Sequence, residues 1–360
     1  MTISHGKPYN NILIVKLSAI GDVIHALPVA HALKQQYPMS RITWIVERPA
    51  YDLLRNNPDI DEIIIFDKPK FKSLSGLIKY APEFSKMLKL RQFDLAIDLQ
   101  GLFKSAAIAA LSGAKKRLGY CNMRELSQWV SLPVCGQNSQ GHIVERYLDV
   151  ARFVGCEVSD VVFSLNITAE EAANAAAAAK QAGLPTGQSY AVLAPGTNWP
   201  SKCWPTGHFA QLANELNQAG IIPVVIGAPG DAPLAAQIIA KAPKAINLTG
   251  KTTLKELAYI IKNASFFVGG DTGPMHLAVA VHTSVIALFG PTDPERNGPY
   301  GQNHIVLTIK DDCRKCWKRK CPDGKQCMAG IGVNQVMEAV HYLQSKTNDN
   351  RVNGLLKLNK

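Results

Sequence analysis

The sequence predicts an α/β protein with two parallel β-sheets. Strand-length apolar runs alternate with helix-spaced segments from about residue 11, and the alternation starts again near residue 187. Apolar strands separated by helices are typical of parallel sheets that helices cover on both faces. The length of 360 residues is too large for one ordinary core and suits two domains.

The first half has the pattern of one such sheet. Its first apolar run, NILIVKL, has the length of a strand, and the next segment places Val23, Leu27, Ala30 and Leu33 at helical spacing. The elements that follow are predicted in the same way. In chain order they are strands in RITWIVE and IDEIIIFD, a charged helix near 83–90, a strand in FDLAIDL, a helix in SAAIAALSGA and a short strand in KKRLGY.

An alanine-rich segment separates the two halves. In NITAEEAANAAAAAKQAG, Thr168 and Glu171 have the spacing of a capping box, and Gly183 and Pro185 stop the helix. We therefore expect four parts, listed here in chain order. They are an N-terminal domain at 1–165, a linker helix at 166–186, a C-terminal domain at 187–332, and a last helix with a loosely ordered tail at 333–360.

The second half repeats the alternation of strands and helices. Its predicted strands are in YAVLAPG, IIPVVIGAPG, AINLTG, SFFVGGDTG and SVIALFGPTDP. Its predicted helices are in GHFAQLANELNQAG, PLAAQIIAKAP, LKELAYIIKNA, PMHLAVAV and VNQVMEAVHYLQ. Two successive halves of this kind suggest two Rossmann-like domains that face each other across a cleft.

The net charge narrows the choice of partners. The formal charge of +11 favours anionic partners such as nucleic acid, an acidic membrane surface or a phosphorylated substrate. No basic stretch is interleaved with aromatic residues, so nucleic acid is not expected. The only early apolar run, ILIV, is too short for a signal peptide or a membrane span, and we expect a cytoplasmic protein.

The eight cysteines fall into two groups. The scattered ones are expected to be small buried hydrophobic residues in a reducing compartment, and they are Cys121, Cys135, Cys156 and Cys203. The others crowd into CRKCWKRKCPDGKQC and are Cys313, Cys316, Cys321 and Cys327. Their first spacing resembles a zinc knuckle and the later ones do not, which leaves structural zinc, disulfides and reduced thiols open. The loop follows the last predicted strand, which argues against a catalytic role.

Ligands of open α/β sheets bind beyond the carboxyl ends of the strands, which directs attention to four turns. These turns are LSAIGDVIH, APGTNWPSKCWP, IGAPGD and VGGDTGPMH. None contains G-x-G-x-x-G or G-x-x-x-x-G-K-[ST]. A simple nicotinamide-dependent dehydrogenase and a P-loop enzyme are therefore disfavoured.

The turn VGGDTGPMH predicts an anion site. Gly273 and Pro274 open a helix, so free N–H groups near Thr272 and the helix dipole would attract a phosphate. The alternative is that Asp271 only caps the helix. One turn into the helix lies His276, which carries modest functional weight because a helix histidine more often packs or faces solvent.

Two further charged residues have a functional and a structural interpretation. Lys202 lies beside Thr197 and Asn198 after a strand, where it either neutralises a diphosphate or is solvated. Asp22 follows Gly21 where a strand passes into a helix. It is either a helix cap or a base that faces a cleft.

Seven motifs, taken in order, give the chain a family resemblance. They are KLSAIGDVIHALP, IDLQGLFKSA, HIVERY, APGTNWPSKCWP, GAPGD, GGDTGPMHLA and FGPTDPERNGPYG. From residue 11 to about 345 the chain resembles family 9 glycosyltransferases, the ADP-heptose:lipopolysaccharide heptosyltransferases. The N-terminal motif and MRE at 123–125 are most similar to the heptosyltransferase I branch.

The resemblance implies a fold and an activity. The fold is GT-B, with two Rossmann-like domains across a cleft and a last helix that crosses back to the N-domain. The activity is inverting transfer of heptose from ADP-heptose to a Kdo/lipid A-type acceptor, with no divalent metal required. Alternatives are a family 9 transferase with another acceptor (an inner-core heptose or a protein hydroxyl), a GT-B nucleotide-sugar epimerase, and a non-catalytic protein that binds anionic lipid.

The resemblance also implies site residues. Asp22 would be the catalytic base, and Lys202 with the DTG turn would hold the donor diphosphate. Asp231 stands where the family usually has a glutamate for the ribose. The expected donor-binding residues are Thr197, Asn198, Asp231, Thr252, Asp271, Thr272, Gly273 and His276. The expected acceptor-binding residues are Lys68, Lys70, Lys72, Gln100, Lys104 and Arg124.

The implied acceptor is an anionic lipid, so peripheral contact at the cytoplasmic face of the inner membrane is expected. The lysine loop of Lys68, Lys70 and Lys72 would then meet the acceptor, or it is merely solvated. The segment FKSLSGLIKYAPEF is weakly amphipathic and gives a faint signal of lipid contact.

Overall fold

The computed structural model describes residues 9–309 and 315–358, with side chains described as far as residue 346. The chain divides into two compact units, Met1–Asn166 and Ile167–Lys360. In the described parts of the chain, each unit contains one parallel sheet of six strands. The predicted α/β class with two Rossmann-like halves is therefore confirmed.

The sheet of the first unit has the order β3-β2-β1-β4-β5-β6. Its strands are β1 (Asn11–Val15), β2 (Arg41–Glu47), β3 (Glu62–Phe66), β4 (Leu95–Asp98), β5 (Lys116–Tyr120) and β6 (Leu132–Val134). The central strand β1 pairs in parallel with β2 and β4, and Ile12 lies opposite both Ile42 and Leu95. Both faces of β1 are buried, which is why its sequence is continuously apolar.

The helices of the first unit are α1 (Ile20–Gln36), α2 (Arg48–Leu54), α3 (Leu74–Lys89), α4 (Phe103–Leu111) and α5 (Ile143–Phe153). Helix α3 begins nine residues before the predicted start at 83, because the Ser73 hydroxyl caps it by accepting the N–H of Gly76 at 3.1 Å. Helix α5 was not predicted. Its cap is His142, whose Nδ1 accepts the N–H of Val144 at 3.2 Å, and histidine is outside the usual set of cap residues.

The sheet of the second unit has the order β12-β11-β10-β7-β8-β9. Its strands are β7 (Tyr190–Ala194), β8 (Ile222–Val225), β9 (Ile246–Asn247), β10 (Phe266–Gly270), β11 (Val285–Phe289) and β12 (His304–Thr308). Its central strands are again fully buried. The edge strand β12 was not predicted, because it is only half-buried and its sequence lacks a continuous apolar run.

The helices of the second unit are α6 (Ala169–Gln181), α7 (Thr206–Gln218), α8 (Ala232–Lys241), α9 (Leu254–Lys262), α10 (Gly273–Ala280), α11 (Pro294–Asn297) and α12 (Val333–Leu358). The capping box of α6 forms as predicted, since Thr168 and Glu171 exchange hydrogen bonds of 2.8 and 3.2 Å. Helix α12 continues well past residue 344, where the sequence pattern ends it. Within the described ranges, no helix combines the length and apolarity that a membrane crossing requires.

The structure contradicts the prediction for two of the four scattered cysteines. Cys121 and Cys135 form a disulfide, and Cys135 is exposed, so the expectation of buried reduced thiols is wrong for this pair. The reason is strand register: Tyr120 lies opposite Val134, and the two cysteines occupy the next position of that parallel pair. Cys156 is buried as expected, and burial raises the pKa of its thiol to about 12. Cys203 is half-buried.

Candidate active site

Asp22 lies in the first turn of α1, directly beyond the carboxyl end of β1. Its Oδ2 accepts the N–H of Ala19 at 3.2 Å, so the carboxylate does cap the helix. The side chain is nevertheless only half-buried. A carboxylate fixed by one backbone hydrogen bond and open to solvent is compatible with both roles predicted for it.

The turn that carries Asp22 is held by Gln100. Its Oε1 accepts the N–H groups of Leu17 and Ser18 at 3.0 and 3.1 Å. Asp98 in turn fixes the backbone of this glutamine, because its Oδ1 accepts the N–H of Gln100 at 3.0 Å. The predicted acceptor residue Gln100 therefore connects the β4–α4 turn to the β1–α1 turn.

Asp98 is a buried carboxyl that was not among the site residues predicted from the sequence. Burial raises its pKa to about 6, although hydrogen bonds from Gly101, Ser105 and Gln100 and the Lys16 charge favour the ionised form. Lys16 is also buried and donates to the Leu99 carbonyl at 3.0 Å. The signal for both was visible in the sequence, since each is a charged residue at the carboxyl end of an apolar strand.

The other predicted acceptor residues lie at the same end of this sheet. Lys104 is paired with Glu47, with 2.8 Å between Nζ and Oε1. Arg124 is exposed, and its backbone N–H donates to the Gly101 carbonyl at 2.9 Å, which fastens the β5–β6 loop to the β4–α4 turn. The remaining three are exposed on the turn after β3 and are Lys68, Lys70 and Lys72.

In the second unit, Asp271 contacts two of the residues that were predicted to bind the nucleotide-sugar donor. Its Oδ2 lies 2.6 Å from Lys202 Nζ, and its Oδ1 lies 3.3 Å from His276 Nε2. All three side chains are largely buried. Lys202 Nζ also lies 4.5 Å from the centre of the Trp199 ring, which positions the cation over an aromatic face.

The charge of Asp271 depends on these partners. Burial alone would raise its pKa, but the hydrogen bond with His276 and the Lys202 charge together hold the pKa of Asp271 well below its ordinary value. The carboxylate is therefore ionised at neutral pH, and it orients Lys202 at the carboxyl end of β10. Lys202 is thus not the solvated surface residue of the alternative interpretation.

The amino end of α10 is open beside this cluster. Thr272 is the N-cap residue, and its side chain makes no capping hydrogen bond. The Thr272 hydroxyl oxygen is buried and has no hydrogen-bond partner among the described residues. An uncapped helix amino end with a buried hydroxyl and a nearby lysine is suited to bind a phosphate.

Asp231 and Thr197 are brought together by two turns. A Cβ at Gly196 would overlap the Asp231 carboxylate, so the turn that contains Gly196 and Thr197 passes directly against this side chain. Asp231 Oδ2 accepts the N–H of Ala228 at 2.8 Å. Thr197 accepts the N–H of Trp199 at 3.0 Å, so its hydroxyl shapes the loop that carries Lys202.

Thr252 lies in the loop before α9 and is half-buried. The N–H of Gly250 in this loop donates to the Gly227 carbonyl at 2.9 Å. The loop is thereby attached to the GAPGD turn that contains Asp231. The residues predicted to contact the ribose and the nucleoside consequently come from neighbouring turns.

The basic loop that carries Cys316, Cys321 and Cys327 contacts the APGTNWPSKCWP turn, a contact that its place after the predicted strands did not suggest. Ser201 Oγ donates to the Lys318 carbonyl at 2.7 Å, and Arg319 donates to the Asn198 carbonyl at 3.2 Å. Cys313 lies outside the described residues, so the proposed zinc ligand set remains a prediction. Elsewhere in the described chain, no three or more histidine, cysteine, aspartate or glutamate side chains are grouped as metal ligands.

Comparison with known proteins decides the family. The profile of glycosyltransferase family 9 (heptosyltransferase) matches residues 82–326. The chain belongs to this family. Family membership makes it an enzyme of the glycosyltransferase class and confirms the resemblance seen in its seven motifs.

Family 9 relatives match along most of the chain. Lipopolysaccharide core heptosyltransferase OpsX of Haemophilus influenzae is 26% identical over 91% of this chain and 95% of its own length. Lipopolysaccharide heptosyltransferase 1 of Escherichia coli K12 is 30% identical over 82% of this chain and 92% of its own length. Other relatives are named heptosyltransferases 2 and 3, so similarity alone does not select an acceptor.

Solved structures of family 9 have the same fold. The family 9 glycosyltransferase of Veillonella parvula superposes with a TM-score of 0.82 at 24% identity, over 94% of this chain and 98% of the other. E. coli ADP-heptose lps heptosyltransferase II has a TM-score of 0.77 at 23% identity, over 94% of this chain and 99% of its own. The predicted GT-B fold class is confirmed.

Proposed function

We propose that this family 9 enzyme transfers heptose from ADP-heptose to an anionic, lipid-linked acceptor of the Kdo/lipid A type, with inversion at the anomeric carbon. The observation that carries the proposal is the buried cluster of Lys202, Asp271 and His276 beside the open amino end of α10. The names of the relatives supply the heptosyl group and the lipopolysaccharide acceptor.

The donor diphosphate would occupy the amino end of α10. Lys202 supplies a positive charge, and the free N–H groups and the Thr272 hydroxyl supply hydrogen bonds. Asp231 and Thr252, on the neighbouring turns, would contact the ribose and the nucleoside. As the bond between the anomeric carbon and the diphosphate oxygen breaks, the negative charge develops where these donors point. A lysine and a helix dipole thus fill the role that a divalent metal has in other sugar transferases.

The acceptor hydroxyl would be activated by Asp22. An alcohol is a weak nucleophile near neutral pH, and a positioned carboxylate can take its proton as it attacks. The proton passes to Asp22, the new glycosidic bond forms, and ADP leaves with the electron pair of the broken bond. A single displacement inverts the anomeric centre.

A second acceptor class is supported by the relatives named heptosyltransferases 2 and 3. In that case the acceptor would be a heptose of the inner core rather than a Kdo sugar. A protein hydroxyl is the more distant alternative. Either acceptor leaves the donor site and the role of Asp22 unchanged.

The lipid-linked acceptor implies peripheral contact with the cytoplasmic face of the inner membrane. The charge of +11 suits an anionic surface. The exposed turn of Lys68, Lys70 and Lys72 lies at the carboxyl end of the first sheet, the same end as Asp22.

The test is ADP release by the purified protein with ADP-heptose, in EDTA, against Kdo2-lipid A and a heptosylated inner-core acceptor in parallel. We expect turnover with Kdo2-lipid A and an inverted anomeric configuration in the NMR spectrum of the product. Turnover with the heptosylated acceptor alone would replace the Kdo assignment. A lack of turnover with every acceptor, or a retained configuration, would contradict the proposed function.

A further inference from the structure

The first two turns of α3 carry an apolar face that the described residues leave open. Leu74, Leu77 and Ile78 have exposed fractions of 75%, 44% and 70%. Helical spacing places them on the same face as Phe84 and Leu88, which pack into the core of the first unit. One apolar stripe is thus buried in the second half of the helix and exposed in the first half, which we call the α3 overhang.

Exposed lysines lie near the α3 overhang, three on the turn before it and one on the same helix. They are Lys68, Lys70, Lys72 and Lys79. Two carboxylates lie nearby: Asp67 is 3.3 Å from Lys70, and Glu83 is exposed on α3 itself. Four cations against two carboxylates leave an excess of positive charge around the apolar face.

The turn that carries Lys68, Lys70 and Lys72 packs against the α3 overhang, so the two form one surface. Phe71 stacks on Phe66 with ring centres 4.8 Å apart, and this contact fastens the turn to the core. A Cβ at Gly76 would overlap the carbonyl oxygen of Lys70, so the glycine allows the turn to lie directly on the first turn of α3. The cap from Ser73 then fixes where the helix begins.

More apolar surface is exposed at the same end of the sheet. Helices α3 and α4 begin beyond the carboxyl ends of β3 and β4, as α1 does beyond β1. Phe103, the first residue of α4, has an exposed fraction of 62%. The apolar groups are therefore exposed at the end of the sheet where Asp22 lies.

We propose that the α3 overhang docks on an anionic bilayer, with Leu74, Leu77 and Ile78 inserted at the boundary between headgroups and acyl chains. An apolar helix face bordered by lysines is the pattern of helices that lie in a membrane interface. The lysines then contact acidic headgroups. This inference deepens the proposed function, because it locates the surface that brings the Asp22 turn to a lipid-linked acceptor.

The experiment measures binding of the full chain to vesicles of phosphatidylcholine with or without phosphatidylglycerol, by cosedimentation. The triple variant L74S/L77S/I78S is expected to bind the anionic vesicles at least about tenfold more weakly. The variant K79S is expected to lose about fivefold. Matched controls are L90S and K86S, which remove an exposed leucine and an exposed lysine at the other end of α3 and should bind as the wild type does.

Turnover on a short-chain, water-soluble acceptor separates this inference from the proposed function. The triple variant should keep wild-type turnover on that acceptor and lose it on acceptor embedded in vesicles. Unchanged vesicle binding by the triple variant would overturn the docking surface, whatever the turnover. Equal losses in L90S and the triple variant would overturn it as well. A lack of turnover by the wild type on every acceptor would instead contradict the proposed function.

Discussion

Asp98 in the first unit and Asp271 in the second are both buried aspartates at the carboxyl ends of central strands, yet their pKa values move in opposite directions. Asp98 accepts hydrogen bonds from two backbone N–H groups and a hydroxyl. These bonds favour the ionised form, but the effect of burial is larger, so the pKa of Asp98 rises. Asp271 contacts Lys202 and His276 directly, and its pKa falls. A buried carboxyl keeps its charge when a cation contacts it and tends to lose it when only neutral donors do.

The candidate sites of the two units differ in the same way. In the first unit, neutral hydrogen bonds organise a turn and leave one carboxylate, Asp22, half-buried. In the second unit, charged groups neutralise one another at a site suited to an anion. Removing the Asp22 carboxylate from the first unit should mainly affect the chemical step, whereas removing the Lys202 cation from the second should affect stability and donor binding together.

The largest expected effect is that of D22N on turnover. The amide still accepts the N–H of Ala19 and so keeps the cap, but it cannot take a proton. We expect turnover to fall by about 10²–10⁴-fold, the usual contribution of a general base, with little change in thermal stability. Steady-state ADP release measures this, with D160N as the control because Asp160 is an exposed carboxylate of the same unit. Undiminished turnover would exclude Asp22 as the base.

The next largest effect is that of K202M on stability. Methionine removes the cation that contacts Asp271 at 2.6 Å and leaves a buried carboxylate with less compensation. We expect a loss of about 3–5 kcal/mol in the free energy of unfolding, measured by urea denaturation at pH 7.

The double variant K202M/D271N sharpens this prediction. It removes both charges, so it should recover much of the stability lost in K202M while donor binding stays weak. If K202M alone is as stable as the wild type, Asp271 does not depend on Lys202 for its charge.

A smaller effect is the pH dependence that Asp98 contributes. Its pKa is raised from 3.8 to about 6, so its contribution to stability is full below pH 4 and is lost as the pH rises through about 6. The change is about 3 kcal/mol at most. Paired carboxylates such as Asp271 have the opposite pH dependence, because the stability that they contribute to the folded protein is lost as the pH falls. The difference between wild type and D98N, measured by urea denaturation from pH 4 to pH 7, isolates Asp98 and should change with pH in the stated direction.

The smallest effect is that of Q100L. The leucine cannot accept the N–H groups of Leu17 and Ser18, so the turn that carries Asp22 loses two hydrogen bonds. We expect turnover to fall about tenfold through misplacement of the carboxylate, with the affinity for ADP unchanged. A loss of ADP affinity equal to the loss of turnover would show that Gln100 acts in some other way.

The sequence could predict elements that depend on local patterns. The capping box of Thr168 and Glu171 and the buried strand β1 are of this kind, because spacing and apolarity suffice to specify them. The candidate site turns could be selected from the sequence too, since ligands of parallel sheets bind at one end of the strands.

Long-range neighbours were not predictable. The disulfide between Cys121 and Cys135 depends on the pairing of β5 with β6. The pairing of Lys104 with Glu47 joins residues far apart in the chain. Such contacts come from strand order and register, which a single sequence does not specify.

Calorimetric titration of ADP into D22N and K202M beside the wild type tests whether the two units have separate roles. If the first unit supplies the base and the second holds the donor, D22N binds ADP with wild-type affinity and K202M binds it at least about tenfold more weakly. If D22N loses as much ADP affinity as K202M does, or if K202M binds ADP normally, the division of roles between the two units is contradicted.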